Sequence, residues 1–143
     1  MNLLVWTDGG SRGNPGEGAV GVVIKLKVKS EKLKVEEKTL ESFGERIGRV
    51  TNNEAEYMAV IEALKKVTSY KLQVTKVDFF MDSKLICEQL KGNWKIKQEH
   101  LKALFSQVKT LGMSLGVPIS YTYVHRAENK EADKLVNQAF DAS

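Results

Sequence analysis

The sequence has one cysteine, Cys87, and two prolines in 143 residues. A lone thiol excludes an intrachain disulfide framework and a cysteine-built zinc site, and it fits a reducing, cytoplasmic setting. No stretch approaches the ~20 consecutive apolar residues that a membrane span needs, so no membrane partner is expected. The start MNLLVWTDGG lacks the basic region and cleavage pattern of a secretion signal. Internal repeats, low-complexity tracts and long linkers are also missing, and the length suits one domain over residues 1–143. Charge is close to balance: 22 Lys and Arg against 18 Asp and Glu leave +4, which permits a polyanionic partner without requiring one. No apolar repeat asks for a second subunit, and a monomer is expected.

What is present is an orderly succession of strand and helix patterns. Leu3 to Thr7 predict a buried strand that ends at Asp8-Gly9-Gly10, followed by a glycine-dense loop turning at Asn14-Pro15-Gly16. Ala19 to Val28 and Leu33 to Phe43 predict two further extended segments, the first two strands pairing as neighbours. Tyr57, Val60, Ile61, Leu64 and Val67 recur at helical spacing. A strand over Val74 to Met81, a short helix from Ser83 through Leu90 and a helix over His100 to Leu111 follow. Ile119 to Val124 is the last strand, and Asn129 is expected to cap a final helix whose apolar side carries Ala132, Leu135, Val136 and Ala139. This order predicts a mixed sheet covered by helices.

Carboxylates break the pattern where a purely structural design would avoid them, because ionised groups near a core are costly unless paired or bound to metal. Asp8 and Asp82 each end an apolar strand. As structural residues they would be a turn former and a helix cap. If their strands are parallel neighbours, both carboxylates project from one carboxyl edge of the sheet, where ligand sites of open α/β folds lie. In the first helix, Thr51 to Glu54 has capping-box spacing, and Glu62 sits beside Lys65 and Lys66 as a solvated face. Glu56 instead heads a stripe of Ala59, Val60, Ala63 and Val67 and so faces the sheet. Asp133, in the first turns of the last helix beside Ala132 and Val136, leans inward, with a helix-dipole role as its structural alternative. Three Asp and one Glu suit a hard divalent cation such as Mg²⁺ or Mn²⁺, and a pair of such ions serves phosphoryl transfer. The residues themselves name no substrate.

Thr7-Asp8-Gly9-Gly10-Ser11 with Gly13-Asn14-Pro15-Gly16, Thr51-Asn52-Asn53-Glu54-Ala55-Glu56, Asp82-Ser83 and Asn129-Lys130-Glu131-Ala132-Asp133 together resemble the type 1 ribonuclease H family over nearly the whole chain. The resemblance implies an α/β, ribonuclease H-like fold: a five-stranded mixed sheet, three antiparallel strands followed by parallel ones, flanked by helices. It also implies metal-dependent cutting of the RNA strand of RNA/DNA hybrids. On that pattern Asp8 bridges two Mg²⁺ ions, Glu56 and Asp82 hold the ion on the leaving-group side, and Asp133 helps hold the ion that activates water. Ser11, Asn14, Asn52, Asn53, Ser83 and Lys84 become contacts to the hybrid, since Asn and Ser can bond phosphates and the 2′-hydroxyl that marks RNA.

Two departures from the family pattern matter. Better-known relatives carry a histidine on a longer loop before the last aspartate, whereas here Val124 to Glu128 forms a short connection, leaving His125 and Arg126 as accessory candidates. The basic helical protrusion of many relatives is replaced by Gly92 to Gln98, which predicts a reduced basic strip of Lys84, Lys91, Lys95 and Lys97 around Trp94, with weaker, salt-sensitive binding. The alternatives are a related nuclease or resolvase acting on another nucleic acid, and a nucleic-acid-binding relative without turnover.

Overall fold

The computed structural model describes residues 1–29, 34–70 and 73–142. Its elements are β1 (Asn2–Gly13), β2 (Gly16–Lys29), β3 (Val35–Val50), α1 (Asn52–Ser69), β4 (Lys76–Met81), α2 (Lys84–Leu90), α3 (Glu99–Leu115), β5 (Ile119–Tyr123), a short 3₁₀ turn (Arg126–Glu128) and α4 (Lys130–Asp141). The strands form one sheet in the order β3-β2-β1-β4-β5. β1 pairs antiparallel with β2, β2 antiparallel with β3, and β4 runs parallel to both β1 and β5. The expected mixed sheet of three antiparallel strands followed by parallel ones is the observed one.

Leu3, Val5, Val22, Ile24, Val77 and Phe79 present one face of the sheet to α1, with α2 and α3 closing the core through Ile86, Leu90, Leu101 and Val108. On the opposite face, α4 lies against β2 through Ala19, Val136, Ala139 and Phe140. The α1 start has the predicted capping box: the Thr51 hydroxyl accepts from Glu54 N, and the Glu54 carboxylate accepts from Thr51 N. Among the described residues, no helix is long and apolar enough to cross a membrane.

Three expectations need correction. The glycine-dense segment after Asp8 is strand, not loop: β1 stays in register with β2 from Asn2↔Lys27 to Gly13↔Gly16. Glycine weakens a strand without preventing it, and here the ladder to β2 holds the segment extended. The third strand, expected over Leu33 to Phe43, runs from Val35 to Val50, and Leu33 lies outside the described residues. Its charged, glycine-containing second half has little apolar alternation because one neighbour is all an edge strand has. Finally, the Asn129 side chain makes no capping bond to α4 and is buried, its Nδ2 donating to the Thr7 carbonyl at 2.9 Å.

Candidate active site

Two glycines bring helices to the middle of β1, where its pairing with β4 ends. A Cβ at Gly9 would lie 2.3 Å from the Ala55 carbonyl oxygen, so only glycine lets the first turn of α1 come down beside Asp8 and deliver Glu56. Gly21, the β2 partner of Asp8, does the same on the other face, where a Cβ would lie 2.1 Å from the Ala132 carbonyl oxygen. That contact seats the first turn of α4 and places Asp133. Asp82 arrives through the parallel register of β1 and β4, whose last pair is Thr7↔Met81, so Asp8, still within β1, and Asp82, just past β4, follow that pair side by side.

Carboxylate oxygens of Asp8, Glu56 and Asp82 lie within 4.8 Å of one another. Asp133 lines the same open cleft, of about 610 Å³, with Arg126 Nη2 3.6 Å from its Oδ1. All four carboxylates expected from the sequence therefore face one cleft. Burial, then repulsion from Asp82 and Asp133, pushes the Asp8 carboxyl up to about 7. Glu56 is raised well above the usual carboxylate range by burial and by the charges of Asp8 and Asp82. Asp82 is raised by burial and by Asp133, against the opposing pull of Arg126 and of the Asn129 amide. A site built this way attracts cations, and its all-oxygen donor set fits a hard divalent ion.

The polar candidates divide into groups. Ser11 and Asn52 line the carboxylate cleft, and both the Ser11 backbone N–H and its hydroxyl donate to Asn52 Oδ1, at 2.9 and 3.1 Å. Asn14 Oδ1 accepts from Asn52 N at 3.0 Å at the hairpin tip. Asn53 faces away, into a second groove shared with Gln89, Trp94, Lys95 and Lys97, which gathers half of the predicted basic strip. Lys91 lies outside this groove beside Glu88, and Lys84 is exposed outside both clefts. Ser83 caps α2, its hydroxyl accepting from Ile86 N. Arg126 lines the cleft, whereas His125 is exposed and meets Tyr123 edge-on with ring centroids 5.7 Å apart.

Arg12, Tyr123 and Asn137 also line the cleft, and sequence reasoning missed them. Arg12 was hidden because its segment read as loop; it stacks over Phe140 and pairs with Asp141 at 3.0 Å. Tyr123 could have been found as the last residue of the strand beside β4, since its register partner is Met81.

A family model described as reverse transcriptase-like matches residues 6–139. A bifunctional protein of Mycobacterium tuberculosis is 41% identical over 143 residues, covering 100% of this chain and 36% of that protein. The chain thus spans about a third of the length of the mycobacterial relatives it matches. The crystal structure of a ribonuclease H1 from the halophilic archaeon Halobacterium salinarum superposes with a TM-score of 0.86 at 34% identity, covering 100% of both chains. LC11 ribonuclease H1, solved in complex with an RNA/DNA hybrid, gives a TM-score of 0.83 at 37% identity, covering 97% of this chain and 96% of that one. The carboxylate edge built from β1, β4, α1 and α4 thus sits in a fold matched end to end by ribonucleases H1, and the chain belongs to the type 1 ribonuclease H family.

Proposed function

We propose that the protein is an endonuclease that hydrolyses the RNA strand of RNA/DNA hybrids, with residues 1–143 as one ribonuclease H domain. Asp8, Glu56, Asp82 and Asp133 would hold two divalent cations, Mg²⁺ with Mn²⁺ as a substitute. The observation that carries this reading is the approach of the Asp8, Glu56 and Asp82 oxygens to within 4.8 Å at one sheet edge. Their raised proton affinities mark an anionic pocket whose repulsion a cation relieves. Bound cations supply the charge neutralisation that in-line phosphoryl displacement requires.

The chain's own groups do the rest. Asp8 is in side-chain contact with both Glu56 and Asp133 and is repelled by Asp82, which suits the central place among the four. Glu56 and Asp82 flank it on one side, and Asp133 stands with Arg126 at the rim, where a guanidinium can meet a phosphate. Asn52 and Asn14 use their amide oxygens within the protein, so each turns an NH₂ donor outward toward acceptors on phosphate and ribose. Ser11 and Ser83 add hydroxyls near the cluster, and recognition of the 2′-hydroxyl would select the RNA strand. Asn53, Lys84 and the Trp94 groove would serve the flanking duplex. The hybrid bound by LC11 ribonuclease H1 supports this substrate class. A monomer in the cytoplasm fits the lone, buried thiol of Cys87.

The test is cleavage of a strand-labelled hybrid with Mg²⁺ or Mn²⁺ by the parent, Asp8→Asn and Glu56→Gln. Cleavage of the RNA strand by the parent alone is expected. Full activity in either variant, or equal cutting of duplex DNA, would overturn the assignment.

A further inference from the structure

Asn129 is 1% exposed and is one of few buried polar side chains among the described residues. Its Nδ2 donates to the Thr7 carbonyl across 122 residues of sequence at 2.9 Å, while its Oδ1 has no hydrogen-bond partner among the described residues. A half-satisfied buried amide is a poor choice for packing, since each unpaired polar atom costs about 1–3 kcal/mol. Helix initiation does not explain it either, because α4 begins without a side-chain cap.

The bond's location is what distinguishes it. Thr7 immediately precedes Asp8, and the Asn129 backbone carbonyl accepts from Asp133 N at 3.1 Å. Asn129 is therefore one residue from the central carboxylate on one side and one helical turn from Asp133 on the other. The Gly21 contact lets α4 approach the sheet but, being van der Waals in kind, permits sliding and rotation. A hydrogen bond into the β1 backbone removes that freedom.

We propose that Asn129 is a positioning residue: its side chain pins the start of α4 to the middle of β1, at the point where the pairing of β1 with β4 ends, and thereby fixes Asp133 relative to Asp8 and Asp82. This rests on the reading of the four carboxylates as a cation-dependent hydrolytic centre. Asn129 touches no substrate atom: its amide reaches the Thr7 carbonyl and the Asp82 carboxylate, and it acts through the carboxylates it aligns, as supporting partners of metal ligands do.

Asn129→Ser separates alignment from folding. Serine is a preferred N-cap and can stabilise α4, yet it is too short to replace the amide bond to Thr7. The experiment uses the whole chain and measures Mg²⁺ affinity by calorimetry, melting temperature, and kcat and KM on hybrid for the parent, Asn129→Ser, Asn129→Ala and Tyr57→Phe. The last removes the buried Tyr57–Gln89 bond of 2.7 Å, which ties α1 to α2 and involves none of the four carboxylates, as a stability control. Asn129→Ser is expected to lose about 10- to 100-fold in Mg²⁺ affinity and kcat, with KM close to the parent's and the melting temperature held. Tyr57→Phe is expected to melt lower with Mg²⁺ affinity unchanged. Parental Mg²⁺ affinity and kcat in folded Asn129→Ser would overturn the proposal. An inactive parent would overturn the nuclease reading instead, while Mg²⁺ calorimetry would still report on the alignment.

Discussion

Asp78 and Asp82 are four residues apart at β4 and have opposite electrostatic surroundings. Burial works against the charge of Asp78, but the Ser120 hydroxyl, the Asn2 amide and Lys76 outweigh it and hold the carboxyl below its usual range. Asp82 meets Asp133 in place of hydroxyls, and burial with that repulsion raises it despite Arg126 and the Asn129 amide. One aspartate brings its partners with it, while the other is assembled among like charges. Carboxylates held among like charges in this way mark a functional site, and an all-oxygen cluster of them suits a cation. The largest test of this contrast is Asp82→Asn, expected to lower Mg²⁺-dependent hybrid cleavage by at least about 100-fold, since loss of even a supporting partner of a metal site costs about 10- to 100-fold. Steady-state rates over a Mg²⁺ titration measure it, and a loss under about threefold would contradict the role.

Proton linkage sharpens the comparison without any substrate. The Asp8 carboxyl has an ordinary value of 3.8 and is pushed up to about 7 in the folded protein, so the native state keeps a proton that the unfolded chain has released. Stability from this group is fully present below about pH 4 and is lost as pH rises through about 7. Glu56 and Asp82 act in the same direction. Asp78 and Glu41, both lowered, work in the opposite sense, but below the ordinary carboxylate range. Chemical denaturation in chelator between about pH 5 and pH 8 should therefore show metal-free stability falling by on the order of 2–4 kcal/mol. Asp8→Asn should flatten that fall, and Mg²⁺ should stabilise the parent more at the alkaline end. Stability that rises across this window in the parent would rule out the raised affinities.

Three of the four carboxylates were legible because each interrupts a local pattern: Asp8 and Asp82 end apolar runs, and Glu56 heads a small, apolar helix stripe, whereas Asp133 alone read as a helix-dipole residue and stood out through the Asn129 to Asp133 motif. What brings them together was not legible. Gly9 read as part of a loop and Gly21 drew no notice within an extended segment, yet they set how closely α1 and α4 approach, and that depends on backbone atoms far away in sequence. Asn129 read as a cap for the same reason, its partner Thr7 being visible only after folding. The glycine logic makes its own contrast. Gly21→Ala forces a Cβ to 2.1 Å from the Ala132 carbonyl and is expected to cost about 1–3 kcal/mol and to displace Asp133. Gly10→Ala, where the nearest atom is Asn52 Oδ1 at 3.9 Å, should stay within about 1 kcal/mol of the parent. Thermal melts of the two variants decide it, and equal losses would remove the close-approach argument.

The smallest expected effect belongs to the other aspartate of β4. Asp78→Asn keeps shape and burial, and the amide oxygen can still accept from the Ser120 hydroxyl or from Asn2 Nδ2. The losses are one of the two acceptors and the charge opposite a half-exposed Lys76 at 3.5 Å, and screened pairs of that kind contribute at most about 1 kcal/mol. A decrease of that size in denaturant stability at neutral pH, narrowing toward acid as the parent's own carboxylate is protonated, is expected with hybrid cleavage within about twofold of the parent. Because Asp78 lies in the strand that leads into Asp82 but looks onto Ser120 and Asn2 instead of the cleft, a large loss of Mg²⁺-dependent activity in this variant would mean that strand geometry, not the carboxylate cluster, governs turnover.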